Sequence, residues 1–199
     1  MKKVTLIALL LVSSMAMAQK MKIVSGDFKN LKGISEFNLL FDYEGLTVDK
    51  FKTEEDFLKD KMAKRDDEEG KAENFKKNWF EDRENRYEPK FIESFNKRFD
   101  NGEVKVAKGL SAAKYTIKVQ TTWIYPGYNV GVMRQASKLN AIIYVYETAN
   151  PSNTILSVDY EKAVGNGAAG FDYNSGYRIS EAYAKLAKTF AADLKKKSK

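Results

Sequence analysis

The stretch Tyr115–Tyr125, "YTIKVQTTWIY", alternates apolar and polar side chains along its length. Tyr115, Ile117, Val119, Trp123 and Tyr125 fall on one side; Thr116, Lys118, Gln120 and Thr122 fall on the other. Successive side chains of a strand point to opposite faces, so the pattern predicts a strand with one face on a core and one in water. Downstream, "LNAIIYVYE" (139–147) is apolar on both faces, as a central strand would be. A short turn segment, "NPSN" (150–153), separates it from "TILSVDYEKAV" (154–164), which alternates again. Strands joined by so short a turn must be antiparallel, so these three segments predict a meander.

The chain closes with a helical pattern. Ile179, Tyr183, Leu186, Phe190 and Leu194 recur every three or four residues and form one apolar stripe. Ser180 is the expected N-cap, and Lys195, Lys196 and Lys197 suit the negative end of the helix dipole. Upstream, "MKIVSGDF" (21–28) and "EFNLLFDY" (36–43) read as two further strands. Between them and the meander, residues 53–99 are more than half charged and carry helical periodicity. Thr53 caps a first helix bearing Phe57, Leu58 and Met62, and Gly70 ends it. A second carries Phe75, Trp79 and Phe80. Pro89 then either kinks one long helix or opens a new one with Phe91, Ile92, Phe95 and Phe99. The expected fold is α+β: a two-layer sandwich with a mostly antiparallel sheet and a three-stranded C-terminal meander. The amphipathic last helix packs on one sheet face. The charged helical block 53–99 is inserted between the second and third strands, as an insertion or a layer of the main core.

Residues 1–18 read as a cleaved signal peptide: Lys2 and Lys3, then an apolar run from Val4 to Val12, then Ala16-Met17-Ala18. Residues 19–199 then form a single domain, exported to the periplasm or secreted, with no transmembrane segment in the mature chain. The chain has neither His nor Cys, which excludes Cys nucleophiles, His general bases, Ser-His-Asp triads and the usual zinc sites. The formal charge of +7 comes largely from the two ends. Without Lys2, Lys3 and the four lysines of 195–199, basic and acidic residues nearly balance. The excess is therefore a solvated tail, and no nucleic acid is expected as a partner.

The segment 165–170, "GNGAAG", has the spacing of a dinucleotide-binding loop. Such a loop opens directly into a helix and is followed by a second parallel strand with an acidic residue about twenty positions on. Here "FDYNSGYRI" intervenes and the sequence stops after one helix, so no dinucleotide and no other cofactor is expected. The reading is instead a long rim loop. The meander sends 126–138 and 165–178 to the same end of the sheet, where long loops commonly bind. The candidate partner-binding residues there are Trp123, Tyr125, Tyr128, Arg134, Phe171, Tyr173 and Arg178. Met133 and Tyr177 accompany them. No catalytic or metal residue is assigned: the acidic run Asp66–Glu69 reads as a solvated helix end, and Asp172 with Asn174 lacks the further acids of a calcium loop.

At "GYRISEAYAKLAKTF" (176–190) and "VSGDFKNLKG" (24–33) the chain resembles a group of secreted proteins of Gram-negative bacteria to which no activity is assigned. The resemblance implies an exported location. The arrangement of a sheet with helices packed on it is also similar to the small periplasmic domains at the N-terminus of TolB and in the curli-secretion lipoprotein family. That second likeness implies architecture only, and the lipobox Cys of the latter family is missing here. The expected function is a non-catalytic envelope protein that holds a protein partner or an envelope component through the two rim loops. One alternative is a carboxylate-dependent glycan hydrolase, for which Asp172 and Glu147 would be the pair. The other is a binder of anionic surfaces through Lys195–Lys199.

Overall fold

In a computed structural model, residues 19–65, 69–99, 101–165 and 173–199 are described. The elements in chain order are β1 (Lys20–Gly26), β2 (Glu36–Asp42), β3 (Thr47–Val48), α1 (Glu54–Ala63), α2 (Lys71–Asp82) and α3 (Glu88–Asn96). They continue with β4 (Lys105–Ala107), β5 (Tyr115–Tyr125), β6 (Tyr128–Asn129), β7 (Arg134–Gln135), β8 (Ser137–Glu147), β9 (Asn150–Gly165) and α4 (Ser175–Lys197). A 3-10 turn covers Phe28–Leu31 and a π-helical turn covers Arg83–Tyr87. The fold is α+β. Residues 1–18, read above as a signal peptide, lie outside the described residues.

The sheet runs β1-β9-β8-β5-β2-β4, with β3 also on β5. From β1 through β5 every pairing is antiparallel, and β5-β8-β9 is the meander. Beyond β5 the pairing turns parallel: β2, β4 and β3 all run alongside their neighbours. The sheet is therefore mixed, with its longest ladders antiparallel. The helical block supplies the reason, because parallel neighbours need a long crossover and residues 53–99 provide it. The turn of the β8–β9 hairpin is also tighter than "NPSN" suggests. Glu147 pairs with Asn150, so Thr148 and Ala149 make the turn and Pro151 lies inside the strand.

A bulge in β5 reverses the expected facing of its last residues. Thr121 pairs with Ala141, but Trp123 pairs with Asn140, leaving Thr122 as the extra residue. One inserted residue shifts the phase of everything beyond it. Ile117, Val119 and Thr121 face the helices, and so does Ile124, opposite Leu139. Trp123 and Tyr125 turn to the other face, beside Asn140 and Lys138.

The helix layer covers one sheet face. Ile179, Tyr183, Leu186, Phe190 and Leu194 are all buried. Helix α4 starts earlier than expected: Asn174, not Ser180, is the N-cap, its Oδ1 accepting from the amide of Tyr177 at 3.2 Å. Ser180 sits inside the helix and donates to the Tyr177 carbonyl at 2.8 Å. Thr53 caps α1, accepting from the Asp56 amide at 3.0 Å. Pro89 stands in the first turn of α3, directly after the π turn. Proline has no amide hydrogen to donate, which the first turn of a helix tolerates. The block is part of the main core: Phe57, Trp79, Tyr87, Phe91 and Phe95 join the same cluster as the sheet and α4. Tyr87 stacks on Tyr183 at 5.2 Å and 8°.

Candidate functional site

Strands β5, β8 and β9 end together. Tyr125 pairs with Lys138 and Lys138 with Val164, so the segments that follow β5 and β9 leave one end of the sheet. Glu147 lies at the opposite end, beside Tyr115. A strand of this length separates the two ends by roughly 30 Å. Asp172 lies outside the described residues. Glu147 is placed where no described residue of the rim can act with it. Among the described residues, no group of three acidic side chains gathers to hold a metal ion.

Between the rim and the first two helices lies a cleft of about 350 Å³. Its helical wall is a ridge. Phe57, Lys61 and Arg65 are spaced by four along and just past α1, and therefore stack along one side of it. The Arg65 guanidinium lies 4.3 Å from the ring centre of Phe75 and donates to the Lys61 carbonyl at 2.7 Å. The Lys61 ammonium is 5.6 Å from the ring centre of Phe57. Phe57 in turn packs on Trp79 at 4.8 Å between centres. The indole N–H of Trp79 donates to Glu54 at 2.6 Å, and Glu54 also pairs with Arg83 at 2.5 Å. These bonds fix the aromatic floor from behind.

The opposite wall comes from the sheet end. Four of the residues singled out in the sequence line it: Tyr125, Tyr128, Tyr173 and Arg178. Burial raises the pKa of the Tyr125 phenol, reinforced by Asp49 and Tyr128, so it stays protonated and donates to Gln135 at 2.7 Å. Arg178 has a different role from the one its type suggests. It is only 5% exposed, and its guanidinium donates to the carbonyls of Pro126 and Gly127, both at 3.1 Å. Its own carbonyl accepts from the Ser137 hydroxyl at 2.5 Å. It ties the turn after β5 and the start of β8 to the first turn of α4. Trp123 stands behind the cleft wall, stacked on Tyr125 at 6.3 Å and donating its indole N–H to the Asp49 carbonyl at 3.0 Å. Arg134 is exposed on the β6–β7 hairpin, opposite Asn129, and does not line the cleft. Phe171 lies outside the described residues, as does all of "GNGAAG" beyond Gly165.

Asp49 forms the lip. It holds φ +55°, in the left-handed region, and is fixed on both sides by the end of β5. Its amide donates to the Ile124 carbonyl at 2.8 Å while its carbonyl receives Trp123. A non-glycine residue held there marks a place where surrounding contacts override local preference. The cleft thus joins tyrosines and phenylalanines to the cations Lys61 and Arg65, with Asp49 as its carboxylate. Such a surface can hold a ring face and an anionic group at once. The sequence reading missed the contribution of α1 and α2. The signal was the four-residue spacing of Phe57, Lys61 and Arg65, which sets cations beside an aromatic on what is otherwise a solvated charged helix.

Compared with known protein families, the chain matches none, and compared with curated proteins it matches none. Among solved structures it is similar to the PelC dodecamer from Paraburkholderia phytofirmans. The identity is 11%, covering 85% of this chain and 97% of that one, with a TM-score of 0.38. A variant of that PelC gives 10% identity, 85% and 98% coverage, and a TM-score of 0.39.

Proposed function

We propose that the protein is an exported, non-catalytic binding protein of the cell envelope whose ligand seats in the rim cleft. The observation that carries this reading is the convergence, in one cleft, of two separate parts of the chain. The rim contributes Tyr125, Tyr128 and Tyr173, and the helical block contributes Phe57, Lys61, Arg65 and Phe75. The matching ligand is a protein or envelope component that presents an apolar ring face beside an anionic group. Export rests on the character of residues 1–18 and on the resemblance of segments 24–33 and 176–190 to secreted proteins. No helix of the described residues is long and apolar enough to cross a membrane.

The test is alanine substitution at Tyr128 and Tyr173, with Lys61→Ala and Arg65→Ala as a second pair, followed by recovery of the bound component from cells. Both pairs are expected to lose it while the circular dichroism spectrum is unchanged. Arg134→Ala, outside the cleft, is expected to keep it. Retention by both cleft pairs overturns the reading.

A further inference from the structure

The hairpin that rises from this rim carries side chains the cleft does not use. Strands β6 and β7 pair Tyr128 with Gln135 and Asn129 with Arg134. The turn between them presents Val130, Val132 and Met133 to solvent, at 62%, 92% and 61% exposure. It is an ordered turn. The Val130 amide donates to the Met133 carbonyl at 3.0 Å, and the Gly131 amide donates to the Asn129 side chain at 2.9 Å. Its base is held by the Arg178 guanidinium on Pro126 and Gly127 and by Tyr125 on Gln135. Turn tips ordinarily carry Gly, Asn, Asp or Ser, so three large apolar side chains on a rigid mount are an unusual choice for water.

We infer that this hairpin tip docks into the surface of a phospholipid bilayer that contains anionic lipids. Three features favour that occupant. The tip is the turn of a two-pair hairpin, with open space where a Gly131 side chain would lie, so it suits a deformable surface better than a rigid one. Three side chains are far too little area for a specific protein interface, which buries about 800 Å² per partner. They do suit shallow interfacial insertion assisted by charge. The charge is of the right sign: Arg134 borders the tip on β7, Lys138 follows at the start of β8 with its ammonium over the Tyr125 ring, and no carboxylate occurs in sequence from Pro126 to Tyr146. Tyr128 stands at the hairpin base, where a phenol would lie at headgroup depth. The inference extends the reading of the rim as the binding end but does not require an occupied cleft.

The chain has no cysteine, so a single introduced one can be labelled cleanly. Residues 19–199, which contain every described element, would carry an environment-sensitive fluorophore at Val132→Cys. Thr148→Cys, at the far sheet end, is the control. With vesicles of phosphatidylcholine and phosphatidylglycerol at 3:1, the label at 132 is expected to shift to the blue and the control to stay unchanged. Pure phosphatidylcholine should give a much weaker shift. Co-sedimentation of unlabelled Val132→Asp should fall about tenfold. Equal shifts at both positions, or undiminished sedimentation of Val132→Asp, overturn the inference and place the contact elsewhere, for example on Lys195–Lys199. A concentration-dependent shift at 132 without vesicles assigns the tip to a second copy of the chain and also overturns it. Failure here leaves the cleft substitutions as an independent test of the binding reading.

Discussion

At Gly165 an added methyl group would overlap the Arg178 carbonyl, the Ala182 amide and the Ser137 hydroxyl. Glycine lets the first turns of α4 press directly on the end of β9. The first glycine of "GNGAAG" is therefore explained by helix–strand packing, with no need for a phosphate. Gly165→Ala is expected to lose about 1–3 kcal/mol in urea unfolding, since the obstructing atoms are largely backbone. At Asp49 the expectation has the opposite form. Its φ of +55° suits Gly better than a β-branched residue, so Asp49→Gly should leave stability nearly unchanged while Asp49→Val costs about 1–2 kcal/mol. Asp159 on β9 gives a pH signature. Burial raises its pKa, Glu161 adds to the rise, and Lys22 opposes it. Its ionised form is thus less favourable folded than unfolded. The resulting penalty is absent below the ordinary carboxylate pKa of about 3.9 and grows as pH rises through the raised folded value. The site is largely open to solvent, so screening keeps the effect small. Asp159→Asn should be neutral to slightly stabilising at pH 7, and its advantage over the parent protein should vanish by about pH 3, as read by denaturation midpoints.

Among the elements, β5 shows what an alternating pattern can and cannot convey. The strand itself is plain from Tyr115 to Tyr125, but the bulge at Thr122 is invisible, because Trp123 and Ile124 are both apolar and either could face inward. The tertiary pairing with Asn140 and Leu139 decides it. Deleting Thr122 removes the extra residue, so Trp123 follows Thr121 directly and the regular alternation keeps Trp123 outward and Ile124 inward. The expected result is a folded variant that keeps the Trp123–Asp49 contact and its near-ultraviolet circular dichroism, whereas a loss of about 3 kcal/mol or more would show that the bulge itself is required. Helix α4 was legible by its stripe, but its start was not. Ser180 and Asn174 are both good caps, and the longer helix is the one that packs Gly176 against Asp82 on α2 and sets Arg178 on the turn after β5. The parallel pairing of β2 was hidden for a related reason, since its apolar face reads the same in either direction. Helices α3 and α4 are also clamped by Lys90 and Glu181 at 3.1 Å, and the hydrogen bond to Glu181 raises the lysine pKa. A double-mutant cycle should give less than about 1 kcal/mol at neutral pH, because the half-buried pair is still reached and screened by solvent. That coupling is fully present below the ordinary lysine pKa of about 10.4 and is lost as pH rises through the raised folded value.

For the whole molecule, the two tryptophans report on different layers. Trp79 belongs to α2 and Trp123 to the sheet. Because the helical block shares one core with the sheet, the single-tryptophan variants Trp79→Phe and Trp123→Phe should each show a fluorescence midpoint in urea that coincides with the same variant's far-ultraviolet circular dichroism midpoint. Separate transitions would show an independent insertion. The composition of residues 53–99 could not settle this, because a charged exterior with an aromatic stripe suits either arrangement. The same ambiguity hid half of the cleft. Tyr128 and Tyr173 were legible as rim residues from topology, whereas Lys61 and Arg65 became cleft residues only once α1 was packed against that rim. The most direct test of the binding claim is a photo-crosslinking residue placed in living cells at Tyr128 and, in parallel, at Thr148 at the far end of the sheet. The account predicts a discrete adduct from position 128 that disappears when Lys61→Ala and Arg65→Ala are added, and none from position 148. Equal adducts from both positions, or an adduct at 128 indifferent to those two lysine and arginine changes, would contradict it.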